Sequence, residues 1–229
     1  MIFRQLFEPD SSTYTYLLGC PETGAALLVD PVLETAERDL DAVKELGLTL
    51  AWTVETHVHA DHVTAAARLK ALSGCRIAYP DGEEIEGADL RLNELTPLAA
   101  GTVALKPLFT PGHTDNHHCY LAGGHVFTGD ALLIDGCGRT DFQGGCAATL
   151  YRSVRNKLFT LPDEIQVYPG HDYRGRKASS IGAERRSNAR LGGGRSQAEF
   201  VALMAALGLP YPKKIDVAVP ANRRCGATD

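Results

Sequence analysis

Between positions 57 and 62 the chain reads His57-Val58-His59-Ala60-Asp61-His62, so four of six side chains are of metal-ligand type. Imidazoles at i and i+2 on extended backbone project to the same side, which suits capture of one ion. Asp61 and His62 add a carboxylate and a third imidazole close by. The alternative is a solvated polar loop. Four more short segments are dense in polar chemistry: Pro111-Gly112-His113-Thr114, Thr128-Gly129-Asp130, the run from Gly136 to Phe142, and Pro169-Gly170-His171-Asp172-Tyr173. Taken singly, Gly-His or Gly-Asp is an ordinary turn. Taken together, the segments supply His57, His59, Asp61, His62, His113, Asp130 and His171, five imidazoles and two carboxylates. So many titratable groups in one cleft would carry a large desolvation penalty, which a divalent cation removes by taking their lone pairs. The same seven side chains would serve one ion or two, and their spacing does not separate these cases.

The elements around them place all five segments where a strand is expected to end, the usual mounting for catalytic groups on a rigid sheet. Tyr14–Leu18 and Ala25–Val29 read as a hairpin. Ala36, Leu40, Val43 and Leu46 recur at helical spacing with Gly47 as a stop. A strand over Leu48–Val54 runs into the first histidine cluster, and a helix over about Thr64–Leu72 and a strand over Arg76–Tyr79 follow. Residues 81–100 read as loop-rich, with strands returning at Thr102. Strands are expected over Thr102–Leu105, Leu108–Thr110, Cys119–Leu121, Val126–Thr128 and Ile165–Tyr168, with a helix over Ala147–Phe159. Ser196-Gln197-Ala198-Glu199 is a capping-box sequence opening a helix that ends at Gly208. This mixture predicts a layered α/β domain with sheets at its centre.

At 229 residues, 44% hydrophobic and 22% charged, the chain has the length and composition of one globular domain spanning 1–229, not of a disordered, collagen-like or coiled-coil protein. No apolar run approaches the roughly 18–20 residues that span a bilayer, so no membrane partner is expected. The amino end lacks a basic-then-apolar signal pattern, which predicts a cytoplasmic protein. A net charge of −5 argues against a nucleic-acid partner. The six scattered cysteines read as reduced, buried thiols.

The pattern His-x-His-x-Asp-His, followed by Gly-His113, Gly-Asp130 and Gly-His171, resembles the metallo-β-lactamase superfamily over nearly the whole chain. That resemblance implies an αββα sandwich with metal at one edge. Within the superfamily, the stretch from Phe127 to Gln143 with its Gly136-Cys137-Gly138-Arg139-Thr140-Asp141-Phe142 core is similar to the persulfide dioxygenases. Tyr168–Tyr173 and Leu150–Val154 fit the same family. Such enzymes oxidise glutathione persulfide with O2 to sulfite and glutathione at one non-haem Fe(II) per chain. The family alternative is a binuclear thioesterase of the glyoxalase II kind, whose members share Gly-Cys-Gly but not the Arg-Thr-Asp-Phe-Gln run.

The resemblance implies His57, His113 and Asp130 as the catalytic iron triad, with His59, Asp61, His62 and His171 orienting ligands and bound water. Two histidines and one carboxylate leave room at Fe(II) for O2 and substrate. Glutathione carries two carboxylates, and Arg139 suits bidentate capture of one. Its alternative is a structural ion pair with Asp141. Tyr173 and Thr140 complete the implied substrate-binding set, and a homodimer is compatible with the family. One departure stands at Asp115-Asn116-His117-His118, where many members have a Pro-Gly turn. These extra histidines read as exposed loop residues, not ligands, and His125 reads as a surface residue of a hairpin. A metal-binding sensor is disfavoured by intact ligands in all five segments.

Overall fold

Apolar runs in the first ninety or so positions pair side by side as β1 (Ile2–Glu8), β2 (Thr13–Gly19), β3 (Ala25–Val29), β4 (Thr49–Val54), β5 (Arg76–Pro80) and β6 (Leu90–Leu92), in that spatial order. β2 runs antiparallel to both of its neighbours, β1 and β3; β3 to β6 run parallel. Parallel strands must be covered on both faces, and β3 is accordingly almost wholly apolar. The helices α1 (Ala36–Glu45) and α2 (Ala66–Ser73) supply cover, with Leu28, Leu40, Val43, Leu50 and Leu69 in one buried cluster. Gly47 adopts φ +68 just beyond α1, the left-handed stop that the spacing predicts.

This sheet, a short hairpin of β7 (Leu98–Ala100) with β8 (Val103–Phe109), and the stretch from Pro212 form one of two compact units. The structure is a computed structural model that describes residues 1–82 and 84–227. The second unit, Pro107–Tyr211, begins inside β8, whose end neighbours β9 (His118–Ala122). Antiparallel to β9 runs β10 (His125–Gly129). It pairs in parallel with β11 (Gln166–Pro169), and β12 (Ser179–Ser180) closes the row. Around it lie α3 (Ala147–Ser153), α4 (Ile181–Ser187) and α5 (Gln197–Ala205), sharing a core that includes Val126, Leu150, Val167, Ile181 and Phe200. The capping box at Ser196 forms in full. The last helix, α6 (Ile215–Asn222), belongs to the first unit although the whole second unit precedes it.

Several expectations are corrected. Residues 81–100 are loop-rich as expected, but they also hold two short strands that the sequence does not signal, β6 and β7. The segments either side of Pro107 are one strand, because β7 pairs only with Val103–Leu105 and so needs no N–H from the proline. β1 carries no clear strand signal, because Ile2, Phe3, Leu6 and Phe7 do not alternate. The helix expected to reach Phe159 leaves α-helical geometry after Ser153 and continues as a π-helical turn, Val154–Leu158.

Candidate metal centre

In the first unit, β4 delivers the chain into Glu55-Thr56-His57. Asp30, the residue after β3, sits at φ +50 and grips the start of that loop. Its Oδ1 accepts from the Thr56 backbone N–H at 2.7 Å and its Oδ2 from the Thr56 hydroxyl at 2.9 Å. With its proton so engaged, the Thr56 oxygen accepts from His57 Nδ1–H at 2.9 Å. That fixes the tautomer of His57 and leaves Nε2 as the lone-pair nitrogen.

The His57, His59 and His62 rings follow in a row, with centroids 4.1 Å and 4.3 Å apart. His59 Nε2 faces Asp30 Oδ1 at 3.2 Å and Glu55 Oε2 at 3.3 Å. Burial works against charge on His59, but the two carboxylates outweigh it and raise its pKa well above the ordinary imidazole range. Burial likewise pushes the Glu55 carboxyl up. His62 Nδ1 pairs with Asp61 Oδ2 at 2.9 Å. Two nitrogens are left buried without a hydrogen-bond partner, His59 Nδ1 and His62 Nε2. His59, Asp61 and His62 form a group in which one ligand atom from each residue lies within 4.8 Å of the others.

A residue far away in sequence holds this loop. Asn222, fully buried at the end of α6, donates through Nδ2 to the carbonyls of His59 and His62, both at 2.8 Å. Its Oδ1 accepts from the Thr64 N–H at 2.8 Å, and the Thr64 hydroxyl donates to Glu55 Oε1 at 2.6 Å. Sequence reasoning does not reach Asn222, Asp30 or Glu55. Only Asp30 carries a signal, its place directly after a strand.

In the second unit, His113 follows the end of β8. Its Nδ1–H donates to the Arg139 carbonyl at 2.7 Å, so in the neutral ring Nε2 carries the lone pair. That nitrogen stands 3.5 Å from Asp130 Oδ2, while His171 Nε2 stands 3.6 Å from Asp130 Oδ1. Neither is a hydrogen bond, and buried Asp130 Oδ1 has no hydrogen-bond partner. Ligand atoms each about 2.1 Å from a shared ion would stand roughly 3.0–3.4 Å apart. The two measured separations are a few tenths of an ångström longer than that, and a carboxylate that turns one oxygen to each imidazole and leaves Oδ1 without a hydrogen bond is suited to a metal ligand. The register of β10 against β11 slips between Phe127 and Gly129, and this bulge turns Asp130 out of the strand.

Two glycines make room for the site. A Cβ on Gly138 would lie 2.6 Å from the Asp130 carbonyl oxygen and 2.8 Å from His113 Nδ1; one on Gly170 would lie 2.9 Å from Asp130 Oδ1. Gly138→Ala is expected to keep the fold and lose most bound metal, because the methyl displaces both side chains by several tenths of an ångström; circular dichroism with metal analysis checks this.

Other predicted residues fall as follows. Arg139 makes the bidentate pair with Asp141, at 2.7 Å for both bonds, and its Nη1 donates to the Pro210 carbonyl at 2.8 Å. The guanidinium holds the Asp141 carboxyl below its usual range. Tyr173 is 74% exposed with its ring stacked on His171, centroids 6.0 Å apart, and Thr140 is half-buried beside Arg139. Burial opposes the charge of Asp172, yet Arg176 and the N–H groups of Arg174 and Arg176 hold its pKa low and fix the turn after His171. Asn116, His117 and His118 are buried, contrary to the expectation of an exposed loop, because β9 starts at His118 and the loop folds inward. His125 is half-buried, edge-on to Tyr168. Gly136–Phe142 lies within a turn-rich stretch and not at a strand end, and Cys146 is exposed while the other five thiols are buried. Among the described residues no helix is long and apolar enough to cross a membrane.

Comparison with known proteins places this geometry in a family. Residues 9–171 match the model of the metallo-beta-lactamase superfamily. The mitochondrial persulfide dioxygenase ETHE1 of Homo sapiens is 50% identical over 231 residues, covering 99% of this chain and 89% of that protein. The crystal structure of ETHE1 from Myxococcus xanthus superposes with a TM-score of 0.96 at 51% identity, over 99% of this chain and all of that one (100%). A metallo-β-lactamase structure from Staphylococcus aureus gives 0.91 at 24% identity, over 99% of this chain and 73% of that one, and speaks to the fold alone. With the metallo-β-lactamase fold that its motifs imply, the chain belongs to the metallo-β-lactamase superfamily and, within it, to the persulfide dioxygenases.

Proposed function

We propose that this chain oxidises glutathione persulfide with O2 and water to sulfite and glutathione, using one Fe(II) held by His57, His113 and Asp130 in a single domain of residues 1–229. The observation that carries the reading is the state of the donors. Hydrogen bonds to Thr56 and to the Arg139 carbonyl leave Nε2 lone pairs on both imidazoles, and Asp130 keeps an unpartnered buried oxygen. Two neutral imidazoles and one carboxylate are the donor set of ferrous oxygenases. When bound, the iron supplies electron transfer between O2 and the persulfide sulfur. The chain supplies orientation: His59, Asp61, His62 and His171 steady the ligands and hold water, and the exposed Tyr173 hydroxyl can donate to substrate at the mouth. Free thiols at all six cysteines suit a reducing compartment such as the cytoplasm.

The His59–Asp61–His62 group favours one second reading, a binuclear thioesterase of the glyoxalase II kind. Metal analysis beside an oxygen electrode tests both. One iron per chain, with O2 uptake matched by sulfite, is expected. Two metals per chain and hydrolysis of S-lactoylglutathione without O2 would overturn the dioxygenase.

Arg139→Ala is expected to raise KM for glutathione persulfide about 10-fold or more, the loss of one charge-assisted contact, with iron content unchanged. Because its guanidinium is pinned to Asp141, an unchanged KM with a lowered Tm would assign Arg139 to loop architecture alone.

A further inference from the structure

His117 belongs to neither metal-ligand set, yet it sits against both proposed ligands of the second unit. Its ring is fully buried and edge-on to His113, with centroids 6.1 Å apart and planes at 81°. The Asp130 backbone N–H donates to His117 Nε2 at 3.2 Å. A backbone N–H can only donate, so this Nε2 must carry a lone pair and the proton of a neutral ring sits on Nδ1. Nδ1–H then donates to Thr110 Oγ1 at 3.0 Å, and the Thr110 hydroxyl passes its own hydrogen to Cys119 Sγ at 3.1 Å. Donation runs one way through four groups, from the Asp130 main chain to a buried thiol. The Thr110 N–H also bonds the His117 carbonyl at 2.9 Å, tying the ring's own backbone to the end of β8.

We infer that His117 is a positioning residue that fixes the bulge carrying Asp130 and the orientation of the facing His113 ring, an inference that rests on His113 and Asp130 being metal ligands. The Asp130 N–H lies one residue beyond the β10–β11 slip, where the parallel ladder no longer supplies it an acceptor, and His117 takes that place. The other side chains of the 115–118 turn are exposed or engaged elsewhere: Asp115 is exposed, Asn116 Oδ1 accepts from the Thr114 hydroxyl, and His118 Nδ1 bonds the Asn116 carbonyl.

The test is iron affinity, measured by competition with a ferrous chelator, together with the electron paramagnetic resonance of the nitric oxide adduct, which reports ligand orientation. His117→Phe keeps the ring volume and removes the acceptor. It is expected to weaken iron binding about 10–100-fold, the usual effect of losing an outer hydrogen-bond partner, and to alter the resonance while KM for persulfide stays within about twofold. His117→Gln, whose side-chain oxygen can accept from the Asp130 N–H, is expected to restore affinity to within about threefold of the parent. Parental affinity in His117→Phe, or equal weakness in both variants, overturns the inference. Should His117→Phe fail to fold, Thr110→Val leaves the histidine in place but removes the acceptor that holds its Nδ1–H and so loosens the ring; about 3–10-fold weaker iron binding is expected, and parental affinity overturns the inference. Asp130→Ala is run alongside: loss of iron there with normal iron in His117→Phe counts against His117 alone, whereas retained iron there counts against the ligand assignment itself.

Discussion

Asp130→Ala is expected to yield a folded protein with no retained iron and at least about a thousandfold less O2 uptake, the scale on which removal of an essential catalytic group acts. The carboxylate lies between the His113 and His171 imidazoles, 3.5 Å and 3.6 Å away, and is the charged member of the proposed ligand set. Alanine leaves neutral nitrogens, which bind a hard ferrous ion poorly without a carboxylate. Folding should survive, because what Asp130 gives the fold is backbone: its N–H bonds His117, and its carbonyl accepts from the Gly138 N–H at 2.7 Å. Removing a buried carboxylate oxygen that lacks a hydrogen bond should leave the Tm of the metal-free protein unchanged or slightly higher. Retained iron and normal turnover would remove Asp130 from the centre. A large fall in the metal-free Tm would assign it a role in folding that the hydrogen bonds do not suggest.

Much of this site is legible in the amino-acid sequence because strands announce their ends. The runs closing at Val54, Phe109, Gly129 and Pro169 each stop just short of a ligand-type residue, and rigid sheets present chemistry there. Burial within loops is less legible. His117 and His118 look like solvent-facing polar residues until β9 is seen to begin at His118 and Asp130 is seen to need an acceptor. Least legible is support from a distance. Asn222 reaches back 163 and 160 positions to the carbonyls of His59 and His62. Nothing in the composition of a short helix near the carboxyl end marks such a contact, which only tertiary packing creates. The Arg139–Asp141 pair shows a further limit. A fork-shaped cation two residues from a carboxylate meets it as readily as it would a substrate, so sequence offers both roles at once. The identity of the metal lies outside spacing altogether, since imidazole and carboxylate accept zinc and iron alike.

That last ambiguity yields the most decisive experiment. Stripping the metal and reloading with zinc is expected to give a folded protein with at least about a hundredfold less O2 uptake, and reloading with ferrous iron under anaerobic conditions is expected to restore it. Zinc has a filled d shell and no accessible redox step, so it can occupy the same imidazole and carboxylate donors yet cannot carry electrons between O2 and sulfur. It stands above iron in intrinsic affinity for such donors, so weak binding would not explain a silent zinc form. Hydrolysis behaves oppositely, because a zinc-bound water is a competent nucleophile near neutral pH. If the zinc form instead hydrolyses S-lactoylglutathione while neither form consumes O2, the donors His59, Asp61 and His62 are holding a second ion, and water, not dioxygen, is the oxygen source. If iron alone restores O2 uptake and sulfite appears in step, those three side chains act around the metal without binding one of their own.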